Sequence, residues 1–191
     1  MRLGPDELLA LYKQGLFPMA DSQSSETIRL YSPDPRTIIP LDRFHVSKNL
    51  ARRIRSNRYP VTFDKDFAGV IQACARPKTW LSPELAAVYQ ELHRLGRAHS
   101  VEAWHQGELV GGSYGVSIGA AFMAESMFHT MTDAGMVALA GLVEKLRADG
   151  FTLFDTQYTT PHLLRCGARE LYREEYLARL EEAASLPDRW T

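Results

Sequence analysis

The chain has 191 residues, 45% of them hydrophobic and 24% charged. That is enough for one good core, or for a core domain with a small appendage, and it excludes disorder, collagen and coiled-coil fibres. Lys plus Arg number 22 against 23 Asp plus Glu, a formal net charge of -1, which taken alone argues against a nucleic-acid binder.

Met1-Arg2 leads into Gly4, Pro5 and Asp6, with no apolar signal region. No apolar run reaches bilayer length, so no membrane partner is expected. A short helix is predicted from Pro5 to Gln14, ended by Gly15. Asp21 to Arg36 is rich in Ser and Pro and reads as turns. A soft boundary near Leu41 divides a small N-terminal domain, residues 1–41, from a larger one, residues 42–191. Ser47 caps a helix running to about Ser56, and Asp64 is expected to cap another to about Ala75. Ser82-Pro83-Glu84 starts a helix that runs to Leu95. Three strand-like runs follow, Ser100–Trp104, Leu109–Val116 and Ala120–Phe128. Asp133 is expected to cap an amphipathic helix with Val137, Leu139, Leu142, Val143 and Leu146 on its apolar side. Gly150 ends it, and Phe151–Gln157 is the next strand. Thr160-Pro161 opens a short helix, and Glu174–Ala184 is a last helix, or a strand followed by one. The segment from Ala120 to Gln157 suits a parallel strand–helix–strand crossover. The class is α+β, with a mixed sheet.

Cys74 and Cys166 lie far apart and outside any Cys-x-x-Cys pattern. Two reduced thiols in a cytoplasmic protein are expected. His45, His93, His99, His105, His129 and His162 show no metal-binding helical spacing, so no metal is expected. Neither a phosphate-binding P-loop nor a dinucleotide fingerprint is present.

Four constellations can carry chemistry. Arg43 to Arg58 holds six basic residues and no acid, and Lys48, Arg52 and Arg55 would share one helical face. That stripe is either a phosphate-binding surface or a solvated face neighboured by acids from elsewhere. Asp155 and Gln157 share one face of a strand just where it leaves the core. Asp155 either serves catalysis or satisfies the N–H groups of the Thr159–Thr160 turn, the plainer alternative. Glu125 stands in an apolar strand, either solvent-facing or buried with partners. Trp80, Tyr89, Trp104, Tyr114 and Tyr31 are core rings or stacking platforms for unpaired bases.

These residues fall in blocks that resemble the leucyl/phenylalanyl-tRNA–protein transferase family. The blocks are Gly15-Leu16-Phe17-Pro18, Ser32-Pro33-Asp34-Pro35-Arg36, the His45–Arg52 basic block and Thr79-Trp80. They continue with His99-Ser100-Val101-Glu102-Ala103-Trp104, Leu109 to Val116, Glu125-Ser126-Met127-Phe128 and Asp155-Thr156-Gln157. Eight blocks in register cover nearly the whole chain. The resemblance implies a GCN5-related acetyltransferase-like domain behind the small N-terminal one. It implies transfer of Leu or Phe from aminoacyl-tRNA to the N-terminal Arg or Lys of a protein, marking it for N-end rule degradation, with no cofactor or metal. Asp155 and Gln157 match the family's catalytic pair, and Glu125 an acidic site residue. Phe122, Met127, Leu139, Leu142, Leu146 and Phe154 match an aminoacyl pocket. Trp80 and Tyr89 match residues near the terminal adenosine, and Lys48, Arg52 and Arg55 match tRNA phosphate contacts. The chain departs from the family's usual Trp at Met19 and from its usual Met at Ser113, so a donor such as Met also comes into question. The alternatives are an acyl-CoA-dependent N-acetyltransferase and a non-catalytic module binding tRNA or an N-terminal peptide. The charge balance splits along the same lines: with six of the 22 basic residues in Arg43–Arg58, 16 are left against 23 acids.

Overall fold

A computed structural model describes residues 3–25, 27–76 and 79–191. Met1, Arg2, Glu26, Pro77 and Lys78 lie outside them. Helix α1 (Pro5–Lys13) has Pro at its start, Asp6 and Glu7 in its first turn and Lys13 in its last, the charge order its dipole favours. Gly15 follows with φ +76°. A Cβ there would lie 2.9 Å from Leu177 and 3.1 Å from Tyr176. The stretch read as turns holds a strand, β2 (Ile28–Tyr31), which forms a hairpin with β1 (Phe17–Ala20) just before that stretch. The strand β3 (Arg36–Ile38) enters the main sheet.

Helix α2 (Lys48–Arg55) is capped by Ser47, whose Oγ accepts from Leu50 N at 3.2 Å. The strand β4 (Val61–Phe63) and helix α3 (Phe67–Cys74) follow. The cap of α3 is Asp66, not Asp64. Asp64 is taken up elsewhere: its carboxylate accepts from Ser100 N (2.8 Å), His99 Nδ1 (2.8 Å) and the indole of Trp190 (2.9 Å). Helix α4 (Pro83–Arg94) starts at Ser82 as expected. The meander β5 (Ala98–His105), β6 (Glu108–Ile118) and β7 (Ala121–His129) is antiparallel. Helix α5 (Ala134–Ala148) then crosses over to β8 (Leu153–Gln157), which runs parallel to β7. Asp133 does not cap α5. It sits at φ 70° with no capping bond, and its carboxylate meets Arg53 of α2 at 3.3 Å. Helix α6 (Pro161–Arg165), strand β9 (Arg169–Leu171) and helix α7 (Arg173–Ser185) complete the chain.

The main sheet has seven strands in the order β4-β5-β6-β7-β8-β3-β9, all antiparallel except β7 with β8. One face carries α1, α3, α4 and α7 over a core that includes Leu8, Tyr12, Val70, Leu85, Tyr89, Met123 and Leu180. The other carries α2 and α5 over Leu50, Phe122, Leu139, Leu142, Leu146 and Phe154. The first 41 residues therefore share the core of the rest through Leu8, Tyr12 and Ile38. No helix of the described residues is long and apolar enough to cross a membrane.

Candidate active site

The site begins where β7 and β8 part. Their pairing runs Ala121 with Leu153, Phe122 with Phe154 and Met123 with Asp155, then stops. Beyond it, β7 stays with β6 and β8 turns to β3. Parallel strands that diverge leave a cleft at their carboxyl ends, the usual place for a ligand in such sheets. Here the cleft opens into a cavity of about 670 Å³.

A bulge on β7 shapes its floor. Tyr114 pairs with Ser126 but Gly115 with Ala124, so Glu125 is the extra residue. The slip flips every side chain beyond it, which turns Met127 toward the cavity and Phe128 into the opposite core. Gly115 permits the bulge. A Cβ there would lie 2.4 Å from Met123 O and 2.5 Å from the Phe122 ring.

Glu125 is neither solvent-facing nor unpartnered. It is 8% exposed, lines the cavity, and accepts from Tyr12 (Oη–Oε1 2.5 Å), Tyr89 (Oη–Oε2 3.1 Å) and Gln157 (Nε2–Oε1 3.0 Å). Burial lifts its carboxyl to about 7, against the pull of those three donors; the nearby charge of Asp155 adds to the lift. Gln157 thus bridges the parted strands. Its amide nitrogen donates to Glu125, and the side-chain carbonyl oxygen accepts no hydrogen bond from the described residues. Its backbone is held at φ 65°, and its N–H donates to Asp155 Oδ1 at 2.8 Å.

Asp155 is fully buried and does not reach the cavity. Arg36 grips it with Nε at 3.0 and 3.1 Å and a terminal nitrogen at 2.7 Å, and Tyr176 Oη donates to it at 2.9 Å. It holds the N–H of Gln157 rather than those of the Thr159–Thr160 turn. Arg36 is itself buried, donates to Gly15 O at 3.0 Å, and lies 4.7 Å from the centroids of both the Phe17 and Tyr176 rings. Sequence reasoning did not single out Arg36, Tyr12 or Tyr176. The signal for Arg36 was a lone basic residue opening the apolar run Thr37-Ile38-Ile39.

Of the expected pocket residues, Ser113, Met127, Leu139 and Phe154 line the cavity, joined by Met136, Thr156, Thr160, His162 and Leu163. Phe122, Leu142 and Leu146 do not. Each is at most 1% exposed and packs in the core behind it, Phe122 against Phe154, Phe151 and Trp190. Ser113 donates to Ser126 O at 2.9 Å, so its hydroxyl is satisfied within the wall. Tyr89 is fully buried and points its hydroxyl at Glu125; it offers no stacking surface. Trp80 is half-buried with its ring edge-on to Tyr89 at 6.4 Å. Met19 is half-buried and packs on the same core, outside the cavity wall.

Lys48, Arg52 and Arg55 are exposed on α2, and no acidic side chain of the described residues pairs with them. Arg53 and Arg43 are the members of the run that meet carboxylates. A second cavity at the start of α2, lined by Ser47, Asn49 and Leu50, shares Asp133, Met136 and His162 with the main one. The start of the basic helix therefore lies beside the main cavity.

Asp64, His93 and His99 bring possible metal ligands within 4.8 Å of one another. Asp64 is engaged with His99 Nδ1, Ser100 and Trp190, and His93 Nδ1 with Ala98 O at 2.8 Å, while His99 Nε2 is buried with no partner among the described residues. This is a hydrogen-bonded junction that pins the C-terminal Trp190 across His99, with ring centroids 4.2 Å apart.

Residues 38–181 match the leucyl/phenylalanyl-tRNA protein transferase family, and residues 1–34 match that family's N-terminal domain. The chain belongs to this family. A leucyl/phenylalanyl-tRNA–protein transferase from Ruegeria pomeroyi is 50% identical over 96% of this chain and 88% of its own length. One from Salinibacter ruber is 48% identical over 98% of this chain and 84% of its own. One from Cereibacter sphaeroides is 52% identical over 95% and 85%. In family terms, the cavity with Glu125 at its floor, and Gln157 bonded to Glu125 behind it, is the candidate transfer site.

Proposed function

We propose that this protein is an aminoacyltransferase that moves Leu or Phe from the 3′ end of a charged tRNA to the N-terminal Arg or Lys of an acceptor protein, as a cytoplasmic enzyme of the N-end rule, on a GCN5-related acetyltransferase-like domain. The observation that carries this is the arrangement of the cavity: a largely apolar chamber with Glu125 at its floor, Gln157 bonded to that carboxylate, and a helix beside it whose Lys48, Arg52 and Arg55 have no acidic partner among the described residues. The relatives' names supply the substrate class.

The lining of Met127, Met136, Leu139, Phe154 and Leu163 suits an apolar donor side chain. Such a wall separates donors by about 1–3 kcal/mol per missing methylene. It excludes water from the ester, and holding two reactants in place supplies several kcal/mol by itself. The free carbonyl oxygen of Gln157 is the acceptor that can hold the attacking α-amino group. Asp155 acts at one remove: it fixes the backbone of Gln157, and Arg36 fixes Asp155. Lys48, Arg52 and Arg55 take acceptor-stem phosphates, a contact without base specificity. The buried negative charge near the floor favours a cationic N-terminal residue on the acceptor. Trp80, half-exposed beside Tyr89, is the ring available to the terminal adenosine.

The test measures transfer from Leu-, Phe- and Met-tRNA by the wild type and by Gln157→Ala, with tRNA affinity determined in parallel. We expect Gln157→Ala to lose transfer and keep affinity. Equal turnover by the two proteins contradicts the assignment.

A further inference from the structure

Three oxygens behind the cavity floor form a closed triangle. Tyr12 Oη lies 2.8 Å from Tyr89 Oη and 2.5 Å from Glu125 Oε1, and Tyr89 Oη lies 3.1 Å from Glu125 Oε2. Each phenol carries one hydrogen. With Glu125 ionised, two hydrogens serve three contacts, and one contact must set lone pairs against each other. A proton on Glu125 Oε2 removes the conflict: Glu125 donates to Tyr89, Tyr89 to Tyr12, and Tyr12 back to Glu125 Oε1. The triangle is complete only with one extra proton.

Access to it is one-sided. Tyr12 is 1% exposed and Tyr89 0%, while Glu125 lines the cavity. A proton can enter only through Glu125. We propose that Glu125, Tyr12 and Tyr89 form a proton-holding ring that takes the proton shed by the acceptor's α-ammonium group, with Glu125 as the catalytic base and the two tyrosines as positioning residues. This rests on the transferase reading of the site.

The surrounding groups leave this role to Glu125. Asp155 on β8 has both oxygens committed to Arg36, Tyr176 and the N–H of Gln157. Burial raises the phenols of Tyr12, Tyr89, Tyr114 and Tyr176, so all four keep their protons. The Cys74 thiol on α3 is pushed up to about 11. Arg36 stays charged beside Asp155. Burial brings the Glu125 carboxyl to about 7, and His129, Asp133 and His162 line the cavity it faces.

The step balances. The acceptor's ammonium gives one proton to the Glu125 carboxylate and becomes an amine. Its lone pair forms the C–N bond at the ester carbonyl, whose π pair moves to oxygen. That pair returns as the C–O bond to the ribose 3′-oxygen breaks. A second amine proton passes to the departing 3′-oxygen, giving a peptide and a free 3′-hydroxyl. The ring returns its extra proton to solvent when product leaves.

The experiment has two readouts. The first is kcat/KM for transfer from Phe-tRNA to a peptide with N-terminal Arg, followed from pH 5.5 to 8.5. The wild type should rise through two ionisations, that of Glu125 and that of the peptide amine. Glu125→Gln should keep only the amine's, and lose roughly 100-fold or more at neutral pH. Tyr12→Phe opens the ring: the protonated form loses two bonds, while the ionised form loses one together with its lone-pair conflict, so the acidic limb should move to lower pH. The second readout needs no substrate: difference infrared titration of the protonated carboxyl. Its midpoint should lie near neutrality, move to lower pH in Tyr12→Phe, and the band should vanish in Glu125→Gln. A Glu125→Gln profile of unchanged shape, merely scaled down, overturns the proposal, as does a carboxyl band that ignores Tyr12→Phe. Absence of any transfer by the wild type defeats the transferase reading instead, and the infrared titration still decides whether the ring takes a proton.

Discussion

Asp155→Asn is expected to unfold this protein more readily than its single-atom change suggests. Asp155 is fully buried and so is Arg36; the pair joins through three nitrogen–oxygen contacts of 2.7 to 3.1 Å. The substitution leaves a buried guanidinium without a counter-charge, with one amide oxygen and Gly15 O to accept from it and two ring faces around it. Breaking a buried pair from one side costs about 3–5 kcal/mol. At about 2–4 °C per kcal/mol for a chain of this size, Tm should fall by about 6–20 °C. Urea unfolding should show the lower midpoint with an unchanged slope. Removing both charges together, as Arg36→Met with Asp155→Leu, should cost less than the sum of the singles, because no uncompensated charge remains. The double variant should fold and still fail to transfer, since the N–H of Gln157 has lost its acceptor. A cost below about 1 kcal/mol for Asp155→Asn, or simple additivity in the double variant, would refute the view that this pair anchors Gln157.

Replacing Lys48, Arg52 and Arg55 together by Ala should weaken tRNA binding whatever the sequence of the acceptor stem. The slope of log affinity against log salt should flatten by about 2–3, read by filter binding across a salt series. Gly115→Ala places a methyl against Met123 O and the Phe122 ring; it should cost about 1–3 kcal/mol and disturb Glu125, measured by urea unfolding and by transfer rate. Stability should also depend on pH through Glu125. Its folded value of about 7 lies above the model-peptide value of 4.5, so its contribution is full below the unfolded value and is lost as pH rises through 7. The loss amounts to about 3 kcal/mol, and Glu125→Gln should abolish that part of the slope in urea titrations at pH 5 and pH 8.

Helix starts were legible where the cap is local. Ser47, Ser82 and Thr160 each accept from the N–H three residues on, as their spacing implies. Asp64 and Asp133 failed as caps for a tertiary reason. Asp64 is recruited by His99, Ser100 and Trp190, and Asp133 by Arg53, contacts invisible to a local pattern. The hairpin of β1 and β2 was hidden because its four-residue strands sit among Ser and Pro.

The site was legible in part. The family blocks pointed to Glu125, Gln157 and Asp155, but periodicity does not say whether an apolar residue faces a cavity or a core. Phe122, Leu142 and Leu146 have the right character and lie behind the wall; Met136 and Leu163 line it and were not picked out. Phe122 and Met127 are five residues apart and would face opposite sides of a regular strand. The bulge at Glu125 is what re-aims Met127, and Gly115 in a strand was its one advance sign. Tyr12 and Arg36 come from segments far from the blocks they serve, 113 residues from Glu125 and 119 from Asp155, so only the folded chain assembles the network.

The most direct test of the account uses a defined peptide beginning with Arg, incubated with Phe-tRNA and this protein, and read by mass spectrometry. The account predicts a gain of one phenylalanyl residue on the N-terminal α-amino group, and no gain when that group is acetylated beforehand. An unchanged peptide with every charged tRNA, or a gain confined to side chains, would contradict it.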